Sequence, residues 1–120
     1  IQPHLKRWIK SEIRLNNKIE QTEFVLDKIF ENDKNEYLLK FYKGEIYRLI
    51  GVKEENNYDK AIDYYDESIK AKNDFPDVYR ELGLLQLKIE KNEEAKKNLK
   101  KYLKLAKNPQ DAEIIESYLN

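Results

Sequence analysis

Few residues in this chain have the types and spacing that catalysis requires. His4 is the only histidine and there is no cysteine, so thiolate chemistry and a zinc site with several nitrogen or sulfur ligands are both excluded. Acidic pairs such as Glu54-Glu55 and Glu93-Glu94 would serve a glycosidase only across a cleft, with one carboxylate in an apolar pocket. These acids alternate with lysines at helical spacing, which is typical of solvated helix faces. No glycine-rich phosphate-binding motif occurs. We therefore predict that the chain is not an enzyme and has no catalytic residue, cofactor or metal site.

The charge balance excludes further classes of function. The chain of 120 residues has 23 basic and 23 acidic residues, so it lacks the excess of cations with which nucleic-acid-binding proteins displace phosphate counterions. No stretch approaches the roughly 20 apolar residues of a membrane span. The expected partner is therefore a protein or a peptide, without nucleic acid and without a membrane span.

A run of lysines near the C-terminus is the most basic stretch of the sequence. We interpret it as an ordinary solvated helix face, with a docking patch for an acidic partner as the alternative. The run consists of Lys96, Lys97, Lys100, Lys101, Lys104 and Lys107.

Apolar residues recur at intervals of three and four along almost the whole chain, which predicts helices and no strands. Asparagine-rich breaks, Pro76 and the Lys107-Asn108-Pro109 segment divide the pattern. Connections this short make neighbouring helices antiparallel. The predicted helices span about 3–15, 18–31, 34–50, 57–72, 76–90, 92–107 and 110–119.

An internal repeat covers about residues 4–109. One copy reads Tyr79-x2-Leu82-Gly83-x2-Gln86, then Ala95-x3-Leu99, then Pro109. The preceding copy has Gly44-x2-Tyr47, then Ala61-x3-Tyr65, and 34 residues separate Ala61 from Ala95. A weaker copy at the N-terminus has Ser11 and Thr22 at the corresponding positions.

This pattern resembles the tetratricopeptide repeat, in which an aromatic residue, Leu-Gly and Tyr precede Ala-x3-Phe and Pro at a period of 34 residues. The chain departs from the pattern at Lys40 and Lys43, which replace the usual aromatic residue and leucine, and at Gln86, which replaces tyrosine. The resemblance implies an all-α fold in which antiparallel helix pairs stack as a short right-handed superhelix. It implies one domain over 1–120, with pairs at about 3–31, 34–72 and 76–107 and a cap at 110–119.

Small residues have a physical role in such a fold, because paired helices approach closely only where a side chain is very small. Gly44 and Gly83 provide that space on the first helices, and Ala61 and Ala95 provide it on the second. Core positions are also predicted for six aromatic residues, namely Phe24, Phe30, Tyr47, Tyr58, Tyr65 and Tyr102. In the C-terminal cap, Ile114, Ile115, Tyr118 and Leu119 are predicted to share the face that covers the last pair.

The resemblance also implies a concave groove lined by the first helix of each pair. Counting from Ser11, Gly44 and Gly83, we predict that aromatic and charged residues lie among leucines there, as at interaction sites. Coverage of an open end of the stack is the alternative for Trp8 and Leu15. Because Glu45 and Leu84 follow the glycines, a clamp for two carboxylates at those positions is not expected. The predicted groove residues are Leu5, Trp8, Glu12, Leu15, Leu38, Phe41, Glu45, Arg48, Asp77, Arg80, Leu84 and Leu87.

The sequence favours a protein–protein interaction module or scaffold that binds a peptide or partner in this groove. One alternative is an accessory domain of a larger exported bacterial protein, such as a zinc-protease-associated chain or a lipoprotein, because the C-terminal part resembles repeat segments of such proteins. Another is self-association through the ends of the stack as a homodimer. The sequence begins at Ile1 and has no methionine, so a fragment or a processed form is expected. Its compartment, cytoplasmic or exported, stays open.

Overall fold

The computed structural model describes residues 3–15, 18–32, 35–51 and 57–120. Within these residues the regular structure consists of seven α-helices, as predicted, and contains no strand. The predicted break at Asn16-Asn17 lies outside the described residues, as do residues 33–34 of the break at Asn32–Asn35 and residues 52–56 of the break at Val52–Asn57. The helices are α1 (Pro3–Arg14), α2 (Ile19–Ile29), α3 (Glu36–Ile50), α4 (Asn57–Ala71), α5 (Pro76–Lys88), α6 (Asn92–Ala106) and α7 (Ala112–Ser117).

The helices form two compact units. Unit 1 covers Ile1–Lys72 and contains α1 to α4, and unit 2 covers Asn73–Asn120 and contains α5 to α7. The organisation of 1–120 as one domain stays a prediction.

In unit 1, α3 and α4 form an antiparallel pair whose contact depends on glycine. Tyr58 packs on Gly51, Tyr65 packs on Gly44, and the Ser68 hydroxyl donates a hydrogen bond of 2.8 Å to the carbonyl oxygen of Tyr37. A Cβ atom at Gly44 would lie 2.6 Å from the Tyr65 ring, closer than van der Waals contact allows. The prediction of a close helix contact at Gly44 is therefore confirmed.

In unit 2, α5 and α6 pair in the same way. A Cβ atom at Gly83 would lie 2.7 Å from the Leu99 side chain, and Ala95 is fully buried. Asn98 donates a hydrogen bond of 2.6 Å to the side-chain oxygen of Gln86. Gln86 therefore has an interhelical partner at the position where the tetratricopeptide pattern has tyrosine.

The two lysines that depart from the tetratricopeptide pattern have partners on neighbouring helices of unit 1. The Nζ atom of Lys43 lies 2.9 Å from Asp27 of α2, and that of Lys40 lies 3.2 Å from Glu67 of α4. Both ammonium groups also lie within about 6 Å of the Tyr64 ring centroid. These ion pairs and cation–π contacts take the place of apolar packing on this side of α3.

The position of α2 corrects one prediction. Thr22 and Leu26, four residues apart, are buried and face the rest of unit 1. Phe24 lies two residues from each and therefore on the opposite face of the helix, where 62% of its surface is exposed. The prediction of a core role for Phe24 is wrong, whereas Tyr58, Tyr65 and Tyr102 are buried as predicted and Phe30 and Tyr47 are partly buried.

The C-terminal helix α7 is shorter than predicted, with six residues against the ten of 110–119. It follows Lys107 and Asn108, which have positive φ angles, and Pro109, which cannot continue α6. Of its four predicted cap residues only Ile115 is fully buried, Leu119 is half-buried, and Ile114 and Tyr118 are exposed. Ile115 is therefore the one fully buried side chain of α7.

Candidate interaction surface

The predicted groove residues of α1 are only partly accessible. Leu5 is buried, Trp8 and Glu12 are half-buried, and Leu15 follows the helix end with 80% of its surface exposed. Trp8 is therefore the large aromatic side chain that α1 offers to a partner. Whether this row binds a partner stays a prediction.

The predicted residues of α3 divide into accessible and buried ones. Leu38 and Arg48 are half-buried. Phe41 is fully buried, with its ring centroid 5.4 Å from that of Tyr42 and 6.0 Å from that of Tyr65. Phe41 therefore belongs to the core of unit 1 and not to an accessible surface, because α1 and α2 also pack on α3 and widen its buried face.

Glu45, the fourth predicted residue of α3, is buried between two hydrogen-bond donors. The hydroxyl of Tyr65 donates to Oε1 at 2.8 Å, and Nη2 of Arg48 donates to Oε2 at 2.6 Å. Only 2% of the Glu45 side chain is exposed, against 28% of the Arg48 side chain. The carboxylate therefore fixes Tyr65 and Arg48, and its negative charge is compensated within unit 1.

A cavity of about 370 Å³ opens between α1 and α3 beside this carboxylate. Its floor consists of the buried residues Ile9, Leu49 and Glu45, and its rim is strongly basic. Helix α1 contributes Lys6, Arg7, Ile9, Lys10 and Arg14, and α3 contributes Glu45, Arg48 and Leu49.

The sequence prediction found only two of these lining residues, Glu45 and Arg48. The four cations of α1 were missed because the groove was projected from the small residue Ser11. A usable signal was present, since Lys6, Lys10 and Arg14 recur at intervals of four and therefore share one helix face.

The predicted residues of α5 lie in unit 2. Asp77, Arg80, Leu84 and Leu87 are all half-buried. Arg80 donates from Nε to Asp111 and from Nη1 to Glu81, at 2.6 and 2.7 Å. The second oxygen of Asp111 accepts a hydrogen bond of 2.6 Å from the Tyr102 hydroxyl, so this carboxylate connects α5 and α6 to the start of α7.

These contacts change the acid–base properties of the groups in unit 2. Burial alone would raise the pKa of Asp111, but hydrogen bonds from Tyr102 and Arg80 outweigh it and lower the pKa. Burial and the Asp111 carboxylate raise the pKa of Tyr102 to about 12. Asp111 is therefore ionised and Tyr102 protonated at neutral pH, as the hydrogen bond between them requires.

Three further features bear on the class of the site. Within the described part of the chain, no group of three or more His, Cys, Asp or Glu residues is arranged to hold a metal ion. In that same part, no helix has both the length and the apolar character needed to cross a membrane. The lysine run of α6 is exposed except at Lys96, which is half-buried.

The comparisons with known proteins support the fold. No protein-family model matches the chain, and no curated protein matches its sequence. The chain has an all-helical, tetratricopeptide-like fold. It is similar in structure to the Yersinia enterocolitica type III secretion chaperone SycD, solved in complex with a peptide of the translocator YopD. The match has a TM-score of 0.69 and 19% sequence identity, and it covers 97% of this chain and 87% of that chain.

Proposed function

We propose that this chain is a non-catalytic interaction module that binds a peptide, or an extended segment of a partner protein, along α1 and α3 of unit 1. The observation that carries the proposal is the cavity of about 370 Å³ between these helices. Concave sites that combine apolar contact surface with placed polar groups are where proteins take up part of a ligand. A chaperone with the same fold has been solved with a peptide bound, which supports this class of ligand.

The chemistry beside the cavity favours binding over catalysis. A general base must offer an accessible lone pair to the proton that it removes. Both Glu45 oxygens already accept hydrogen bonds, and the side chain is almost fully buried. The carboxylate therefore serves to position Tyr65 and Arg48.

Selection from a random peptide display library tests the proposal directly. The selected peptides are then titrated against the Trp8→Ala variant, because an accessible tryptophan is the type of residue that anchors interfaces. We expect binding to weaken by about 2 kcal/mol, or roughly 30-fold. Tyr118→Ala, which removes an exposed aromatic residue from unit 2, is the matched control and leaves affinity unchanged.

The same titration can reject the proposed location. Equal affinity of the Trp8→Ala variant and the unaltered chain removes Trp8 from the binding surface. Failure to select any peptide contradicts the proposal as a whole. Thermal unfolding of both variants establishes that a loss of binding does not come from loss of the fold.

Self-association is a second candidate, and the exposed face of α2 favours it. Phe24, Val25 and Ile29 have 62%, 37% and 51% of their surfaces exposed. Apolar residues grouped on one helix face are typical of interfaces. Sedimentation over a range of concentrations tests this function. A mass that rises with concentration, and that Phe24→Ser combined with Ile29→Ser abolishes, supports it, whereas a constant monomer mass rejects it.

A further inference from the structure

Helix α1 concentrates positive charge in a chain that is neutral as a whole. Between Pro3 and Arg14 it has four basic residues and one acidic residue, Glu12. Lys6, Lys10 and Arg14 share one face because they are four residues apart, and Arg7 lies beside them. This charge has no counterpart elsewhere in the sequence except in the lysine run of α6.

The basic face of α1 meets α3 at the cavity, where Arg48 adds a further cation. Five cations therefore line the cavity with one carboxylate, Glu45. That carboxylate is 2% exposed and is hydrogen-bonded to Arg48 and Tyr65. It compensates Arg48, and the Lys10 and Arg14 side chains of α1 are exposed at the rim. Cations that converge on a recess with low-dielectric walls produce a positive potential that attracts anions.

The floor of the cavity limits the kind of anion that fits it. Ile9 is 1% exposed and Leu49 is 6% exposed, and these two aliphatic side chains carry no hydrogen-bond donor for a small hydrated ion. The cations lie at the rim, and Lys10 and Arg14 are exposed. A complementary ligand has an aliphatic group at its centre and negative charges on either side.

We propose that the cavity between α1 and α3 binds an acidic peptide segment, with an aliphatic side chain against Ile9 and Leu49 and its flanking carboxylates paired with Lys10, Arg14 and the neighbouring cations. This inference rests on the proposed function and specifies the sequence of the peptide. Charge complementarity with α1 carries it. Four of the five cations come from α1, and Glu45, which follows Gly44, accepts hydrogen bonds from Arg48 and Tyr65 and does not pair with the peptide.

The test uses fluorescein-labelled synthetic peptides in which glutamate alternates with leucine. Two matched peptides replace every glutamate by glutamine or every leucine by glycine. We expect the glutamate–leucine peptide to bind at least about 10-fold more tightly than either of them. Its affinity decreases as salt is added, because exposed charges are screened over about 10 Å at 0.1 M ionic strength.

Charge reversal on the protein completes the test. Lys10→Glu combined with Arg14→Glu changes two exposed rim residues, and we expect it to weaken binding of the glutamate–leucine peptide by about 10-fold or more. Lys100→Glu combined with Lys104→Glu makes the same change of charge on exposed positions of α6 and serves as the control. The control variant retains affinity within about 2-fold.

Any of three results would overturn the inference. The first is that the glutamine peptide binds as tightly as the glutamate peptide, and the second is that both charge-reversal variants lose affinity equally. The third is that inorganic pyrophosphate or a single-stranded oligonucleotide binds the α1 rim in preference to the peptide. Display selection separates this failure from failure of the proposed function. Selected peptides without acidic residues, unaffected by Lys10→Glu and Arg14→Glu, preserve the interaction module and reject the acidic ligand.

Discussion

Each unit contains a carboxylate held between a tyrosine hydroxyl and an arginine. In unit 1, Glu45 accepts from Tyr65 and Arg48. In unit 2, Asp111 accepts from Tyr102 and Arg80. The two carboxylates differ in their exposure to solvent, because the Glu45 side chain is 2% exposed and that of Asp111 is 23% exposed.

The difference follows from what fills the space beside the repeat glycine. In unit 1 the Tyr65 ring packs on Gly44 and places its hydroxyl inside the helix pair, where a buried donor needs an acceptor. In unit 2 Leu99 packs on Gly83 and brings no polar group. Glu45, which follows Gly44, provides the acceptor for the Tyr65 hydroxyl. Leu84, which follows Gly83, is apolar, since Leu99 requires no acceptor. The carboxylate of unit 2 instead lies at the chain end, where it holds α7.

The largest expected effect comes from removing the buried carboxylate. Glu45→Ala leaves the Tyr65 hydroxyl and the Arg48 guanidinium without their acceptor, and we expect it to lower the free energy of unfolding by about 3 kcal/mol. Asp111→Ala removes the same kind of group from a more solvated place, and about 1 kcal/mol is expected. Urea unfolding followed by circular dichroism measures both. An equal decrease in the free energy of unfolding for both variants would contradict the distinction between a buried and a solvated carboxylate.

Glycine replacement compares the two helix contacts. Alanine gains about 1 kcal/mol of helix propensity over glycine, but overpacking costs about 1–3 kcal/mol. We expect a net loss of about 2 kcal/mol for Gly44→Ala, where a rigid ring lies against the new atom, and about 1 kcal/mol for Gly83→Ala. Thermal and urea unfolding measure these changes.

A second substitution sharpens this test. Leu99→Ala removes both side-chain atoms, Cγ and Cδ2, that a Cβ atom at Gly83 would meet. Gly83→Ala should therefore cost less in the Leu99→Ala background than alone, a non-additivity expected of residues in contact. Strict additivity would indicate that the two side chains do not compete for the same space.

The carboxylate of unit 2 also makes stability depend on pH. Because the pKa of Asp111 is lower in the folded chain than its ordinary value, its stabilisation is fully present above about pH 4 and is lost as the pH falls through the folded pKa. Asp111→Asn removes that contribution, which we expect to be about 1 kcal/mol at neutral pH. Urea unfolding at pH 7 and pH 2.5 tests this pH dependence. The difference in free energy of unfolding between the Asp111→Asn variant and the unaltered chain must be smaller at pH 2.5 than at pH 7.

The comparison of the units also indicates what sequence can and cannot predict here. Helices and close contacts were predictable because spacing and side-chain size at Gly44, Ala61, Gly83 and Ala95 are local properties. The burial of Phe41 and Glu45 was not, since these residues lie within about 100° of Gly44 on the helix, and additional helices packed on α3 cover that arc. The cavity depends on the approach of α1 to α3, which the spacing within either helix does not specify.

The smallest effects are expected from the tyrosine hydroxyls, and they give the cleanest comparison because the rings stay in place. Tyr65→Phe removes a buried donor to Glu45 and should cost about 1 kcal/mol, whereas Tyr102→Phe removes the donor to the more solvated Asp111 and should cost about 0.5 kcal/mol. Water can replace the lost donor at Asp111 more readily than at Glu45. Combining Tyr65→Phe with Glu45→Ala in a double-mutant cycle isolates the interaction between the two groups. A coupling near zero would mean that the Tyr65 ring, and not its hydroxyl, accounts for its role beside Gly44.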